Sequence, residues 1–190
     1  MSTTDIVPSP TAEPRERTAC IHASVDADLV LLGHPHPRSG EGAEAPRSLL
    51  PAQGCMIVVG GAESQGTRDI TLEARAGDAV RVFAKSGSNN FEHAVLLQGI
   101  HHTGGDEVLG TFRLVAQERT GIAPASAKSA LPAQLVRQHF SFCECDVVGE
   151  GAGSYSLVLT LYDRDEAGQP RFVGHYQWNA RITVHLVSSF

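Results

Sequence analysis

Residues 33–42 read Gly-His-Pro-His-Pro-Arg-Ser-Gly-Glu-Gly, placing His34 and His36 two positions apart with Glu41 and Glu44 downstream. In an extended segment, residues i and i+2 project the same way, so both imidazoles could reach one metal ion and a glutamate could add an oxygen. That would be half of a cupin-like centre, which also needs a histidine from a distant strand. The context argues otherwise. The pair lies among prolines rather than on a strand, and proline removes backbone donors and stiffens the turn. The segment therefore reads as a stiff surface loop, with His34 and His36 retained as the metal candidates.

Other chemistry-bearing residues form weaker sets. His93 follows a glycine-aspartate turn and a strand, the order of a copper site, with Cys143 as the thiolate. Blue copper requires two histidines, a cysteine and a weak axial ligand, and no His or Met follows Cys143 within reach. His101 and His102 are adjacent, so on a strand they face opposite ways. Cys143 and Cys145 are not joined by a second closely spaced cysteine pair, which a closed zinc site would need, and they read as small buried apolar groups. No Gly-x-Ser-x-Gly elbow and no phosphate-binding glycine loop occurs. Asp163, Asp165 and Glu166 fall in an apparent hairpin turn, where solvated charge explains them.

A binding site is a more substantial candidate. Sandwich lectins hold sugars with amides and stack an aromatic ring on the sugar's apolar face. Asn89 and Asn90 in Ser-Gly-Ser-Asn-Asn-Phe-Glu, and His175, Tyr176, Trp178 and Asn179 in His-Tyr-Gln-Trp-Asn, are the candidate ligand-binding residues. Their structural alternatives are a left-handed turn for the asparagines and a core position for the single tryptophan.

These residues need a scaffold, and the chain predicts one. Its 190 residues suit one domain with a tail. The 15 basic residues are scattered through a chain of net charge −6, which argues against nucleic acid and anionic membranes as partners. No secretory leader or apolar span is visible, so the expected location is the cytoplasm, with reduced cysteines. Residues 1–17 carry three prolines and few apolar side chains and are expected to be a disordered tail, with a single domain over 18–190.

Within that domain the hydrophobic period is two. Ile70, Leu72 and Ala74 share a face, as do Val80 and Val82, Leu157, Leu159 and Leu161, and Ile182, Val184 and Leu186. About nine or ten short strands with turn signals between them predict an all-β, two-sheet antiparallel sandwich of jelly-roll or immunoglobulin-like kind. Ala27–Gly33 could add a turn or two of helix. Residues 33–52 and 119–135 read as long loops, and Gly99–Glu107 as a turn.

Several blocks also carry a resemblance. His-Pro-His-Pro-Arg-Ser, Gly-Cys-Met-Ile-Val-Val-Gly-Gly, the long segment 64–100, Gly-Asp-Glu-Val-Leu-Gly-Thr-Phe, Leu-Pro-Ala-Gln-Leu-Val-Arg-Gln-His-Phe and the ending 159–184 occur in order. Together they resemble the PixA/AidA family of bacterial inclusion-body proteins, over about Cys20 to Val187. Where that family tends to Trp-Asp-Pro, this chain has Trp178-Asn179-Ala180. The resemblance implies a β-sandwich that self-associates, can accumulate in inclusions and in some members is induced through quorum sensing. It brings no catalytic residue and no cofactor. The expectation is thus a non-catalytic, homo-oligomeric intracellular protein, with a carbohydrate-binding module and a cupin-like metalloenzyme as alternatives.

Overall fold

A computed structural model describes residues 18–33, 45–59, 65–126 and 128–187. The tail expected at 1–17 and the metal candidates His34 and His36 lie outside the described residues. The elements in chain order are β1 (Thr18–Val25), α1 (Ala27–Gly33), β2 (Arg47–Ser48), a 3₁₀ turn (Pro51–Gln53), β3 (Gly54–Val59), β4 (Gln65–Thr67), β5 (Asp69–Ala74), β6 (Ala79–Ser86), β7 (Ala94–Gly105), β8 (Arg113–Ser126), β9 (Ser129–Asp146), β10 (Gly151–Arg164) and β11 (Pro170–Leu186).

They form the two-sheet, all-β sandwich that the alternation predicts. One sheet has the order β4-β3-β1-β6-β9-β8; the other runs β2-β11-β10-β7, with β5 also paired to β11. The pairing is mixed rather than antiparallel throughout: β1 runs parallel to β6, and β11 runs parallel to both β2 and β5. A parallel neighbour requires a crossover connection. Here the chain between β1 and β6 supplies it, visiting both sheets by way of β3 and β5. Alternation determines which side chains turn inward; it does not determine strand direction.

Every second residue fills the core. Ile21, Ala23 and Val25 of β1 and Val80 and Val82 of β6 lie between the sheets with Leu157, Leu159 and Leu161 of β10 and Trp178, Ile182 and Val184 of β11. Burying side chains of this size contributes about 1.5–3 kcal/mol each before chain entropy is charged against it. The short helix α1 is held at the end of the sandwich by Asp26, whose carboxylate accepts the Leu29 N–H at 3.0 Å, and by Gln53, which donates to the Leu29 carbonyl at 3.1 Å.

Three expectations are corrected. Residues 119–135 are not a loop: 119–126 and 129–135 continue β8 and β9 as the two arms of one long hairpin. Their Ala/Ser/Pro composition hides this because a ribbon with no sheet beneath it needs no regular apolar face. His101 and His102 lie on β7, which runs on to Gly105, instead of in a turn. The short strands expected at the end of the chain are, over Pro170–Leu186, one continuous strand of 17 residues, β11.

A close contact with the core concerns Gly54. A Cβ there would stand 2.9 Å from the Ser24 carbonyl oxygen and 2.9 Å from Cη2 of Trp178, whose indole is 1% exposed. Both neighbours are fixed, one by the β1 backbone and one by packing. Gly54→Ala is expected to cost about 1–3 kcal/mol through overpacking, read as a lowered denaturation midpoint at unchanged slope.

Candidate functional site

The predicted binding residues do not converge. Asn89 and Asn90 both adopt positive φ, 57° and 64°, in the turn after β6. The Asn90 carboxamide oxygen accepts the backbone N–H groups of Ser86 at 2.8 Å and Val95 at 2.9 Å, and its NH₂ donates to the Val95 carbonyl at 3.2 Å. This side chain therefore closes the turn. Asn89 instead accepts from Lys85 Nζ at 3.1 Å.

On β11 the period of two separates the other four residues. Tyr176 and Trp178 turn into the core, each 1% exposed, while His175 and Asn179 belong to the opposite face. His175 Nδ1 lies 3.0 Å from Thr160 Oγ1. The indole of Trp178 presents no free face to a ligand.

The remaining candidates are also occupied by the fold. Asp163 forms a two-point pair with Arg171, at 2.9 and 2.6 Å, and Asp165 accepts from the backbone of Ala167 and Gln169 within the β10–β11 turn. Burial pushes the thiols of Cys143 and Cys145 up to about 11 and about 12, making them poor nucleophiles. Among the described residues, no three of His, Cys, Asp and Glu are grouped so as to hold a metal ion.

Two features emerge only from the geometry. The first is an acidic pocket of about 430 Å³ at the end of the sandwich, where the parallel strands β1 and β6 both terminate. Asp26, Asp28 and Glu92 stand around it, with Ser24, Ser86 and Ser88 inside and Gly54 also in its lining. His93 Nδ1 approaches Asp28 at 3.7 Å. The Ser86 and Ser88 hydroxyls donate to the His93 backbone carbonyl, at 2.5 and 3.5 Å. The chain neighbours of these lining residues include two exposed apolar groups, Leu29 beside Asp28 and Phe91 beside Glu92.

The second feature is the β8–β9 hairpin. β6 pairs with β9 only over Ala79–Val82 and Cys143–Asp146, whereas β8 and β9 stay paired down to Ser126 and Ser129. Beyond Cys143 the two strands therefore leave the sandwich as a two-stranded arm. On one side of it Ile122 stands opposite Leu135 and Pro124 opposite Ala133. Ile122, Leu131 and Leu135 are each about three-quarters exposed, at 75%, 76% and 75%. The arm is basic: over 115–142, Arg119, Lys128 and Arg137 stand against the single carboxylate Glu118, a net +2, so the rest of the −6 chain holds −8.

Glu144 clamps the arm's root. Its carboxylate accepts from Arg81 Nε of β6 at 2.6 Å and from Arg113 Nη2 of β8 at 2.8 Å, joining three strands. Those bonds, from Arg113 and then Arg81, hold its carboxyl below the usual range. The Arg81 guanidinium also stands over the Phe142 ring at 5.3 Å, and Phe142, Phe83 and His22 continue the stack at 5.1 Å spacings. Between the diverging β6 and β9 opens a cleft of about 660 Å³ beside His22, Phe83, Lys85, Asn89 and Phe140. Burial, and then the Lys85 charge, lowers the His22 pKa.

The sequence reading missed the arm and the pocket. The signal for the arm was present as three basic residues in a stretch with one acid. The pocket combines residues from three separate segments, 24–28, 52–54 and 86–93, and leaves no local pattern.

Comparison with known proteins agrees with the fold. The sequence profile of the PixA family, described as inclusion body protein, matches residues 21–184. A crystal structure of an inclusion body protein from Burkholderia cenocepacia J2315 superposes with a TM-score of 0.75 at 23% identity, over 93% of this chain and 100% of that one. No curated protein is significantly similar.

Two outcomes are expected from the root of the arm. Glu144→Gln weakens the hydrogen bonds to two partly exposed arginines and should cost about 1–2 kcal/mol, measured by chemical denaturation. His22, lowered from 6.5 in the folded state, contributes stability that is complete above pH 6.5 and lost as the pH falls through its folded value. Wild type should therefore lose more stability on acidification below pH 6.5 than His22→Gln, in melts at matched ionic strength.

Proposed function

The chain belongs to the PixA family of inclusion body proteins, and from that premise we propose that it is a non-catalytic cytoplasmic protein that associates with copies of itself through the β8–β9 arm. The observation that carries this reading is the arm's exposed apolar end. An isolated two-stranded ribbon is marginal in water, and gains stability when a third strand or another surface covers its apolar face. Ile122, Leu131 and Leu135 have no such cover among the described residues.

The non-catalytic part is supported by how the polar side chains are used. Ser86 and Ser88 bond to the backbone carbonyl of His93, and Asn90 closes its own turn. The free thiols of Cys20, Cys143 and Cys145 suit a reducing interior. Accumulation under quorum sensing, implied by the family resemblance, belongs to the same reading. No observation favours the carbohydrate alternative, because Asn89, Asn90, Trp178 and Asn179 are scattered over separate surfaces and the core.

Sedimentation over a wide concentration range tests the proposal. Wild type is expected to show concentration-dependent assembly, and Ile122→Asp/Leu135→Asp to remain monomeric with an unchanged β-sheet circular dichroism spectrum. A wild type that stays monomeric at millimolar concentration would sink it.

A further inference from the structure

The arm and the acidic pocket are complementary in two respects at once. The outer part of the arm presents Ile122, Leu131 and Leu135 together with Arg119, Lys128 and Arg137. The pocket presents Asp26, Asp28 and Glu92, and the residues next in the chain to Asp28 and Glu92, Leu29 and Phe91, are exposed apolar groups. Apolar and basic thus meets apolar and acidic. The charges divide the same way over the whole chain, +2 on the arm and −8 elsewhere. Such opposition steers encounter and fixes register more than it adds affinity, which comes from the apolar anchors.

Dimensions agree. A strand rises about 3.3 Å per residue, so β8, with 14 residues, is about 45 Å long, enough to cross from one sandwich to the next. The unsupported part of the hairpin, roughly 25 residues, is the size of one side of a standard protein interface.

We propose that the arm of one copy docks its basic, apolar end into the acidic pocket at the β1–β6 end of a second copy. The inference rests on the self-association reading and names its receptor. Donor and acceptor surfaces are different patches, so the contact is heterologous. Each copy that accepts an arm still offers its own, and a contact of this type builds rings or open filaments instead of stopping at a two-fold dimer. Open-ended growth is the kind of association that can fill an inclusion.

Asp28 and Glu92 are the residues to change, because both are exposed while Asp26 caps α1. The test uses the full chain, with one variant dead in the arm (Ile122→Asp/Lys128→Glu) and one dead in the pocket (Asp28→Lys/Glu92→Lys). Native mass spectrometry of each alone should show monomers, with association weakened at least tenfold. Their 1:1 mixture should give a heterodimer that grows no further, since one intact arm meets one intact pocket.

The milder Asp28→Asn/Glu92→Gln variant, expected to weaken assembly in the same direction, covers the case in which charge reversal disturbs folding. Melting curves identify that case. If folded pocket variants assemble like wild type, the receptor is wrong and the self-association reading stands. If both variants are monomeric and the mixture gives no heterodimer, the pairing is overturned. A wild type that never assembles overturns both.

Discussion

The Glu144 carboxylate is the point on which the layout of this molecule turns. It is 12% exposed and receives a guanidinium from each side, Arg81 from β6 and Arg113 from β8. At that level the six-stranded sheet is still intact; its last β6–β9 pair, Val82 with Cys143, lies one residue further along β6, and beyond it the sheet divides. Everything distinctive about the surface follows from the division. The cleft lies in the fork, the arm is the branch that leaves, and the pocket lies at the far end of the β6 strand that stays. A charge-assisted cluster suits this task because it fixes strand spacing at a place where the apolar core is running out.

The core itself has a different logic. Trp178 fits beneath Gly54 because a residue with no side chain lets the indole approach the backbone of β3. The indole Nε1 is buried without a hydrogen-bond partner among the described residues, a cost accepted for a large apolar payload. The same packing explains why a tryptophan late in a β-rich chain is a poor guide to a sugar site. A strand residue that faces the opposite sheet is unavailable to solvent, whatever its neighbours offer.

The arm and the body also differ in how they are stabilised. Side chains of the sandwich contact both sheets, and local opening there exposes apolar area that must be recovered. The outer arm has cross-strand pairs alone, among them Glu118 with Arg137 at 3.3 Å and with His139 at 3.5 Å, both largely exposed. Surface pairs of that kind contribute at most about 1 kcal/mol. On the proposed reading, the arm acquires its second layer from another molecule, so assembly completes a fold that one chain leaves unfinished.

The sequence by itself determined the elements with a buried face. Ile70-x-Leu72-x-Ala74, Val80-x-Val82 and Leu157-x-Leu159-x-Leu161 declare a strand and its inner side because period two and burial are local properties. The left-handed turn at Asn89-Asn90 was legible as one of two alternatives for the same reason. The resemblance that marks the family was legible too. Only the tertiary structure decided strand direction, which depends on crossovers that side-chain alternation does not encode. It also decided that residues 119–135 are extended, because a ribbon without a sheet beneath it leaves no alternating signature. It placed Tyr176 and Trp178 inside and His175 and Asn179 on the other face, where adjacency in sequence had suggested one site. And it gathered Asp26, Gly54 and Glu92 around one pocket: each comes from a different segment, and proximity between distant segments is a product of packing.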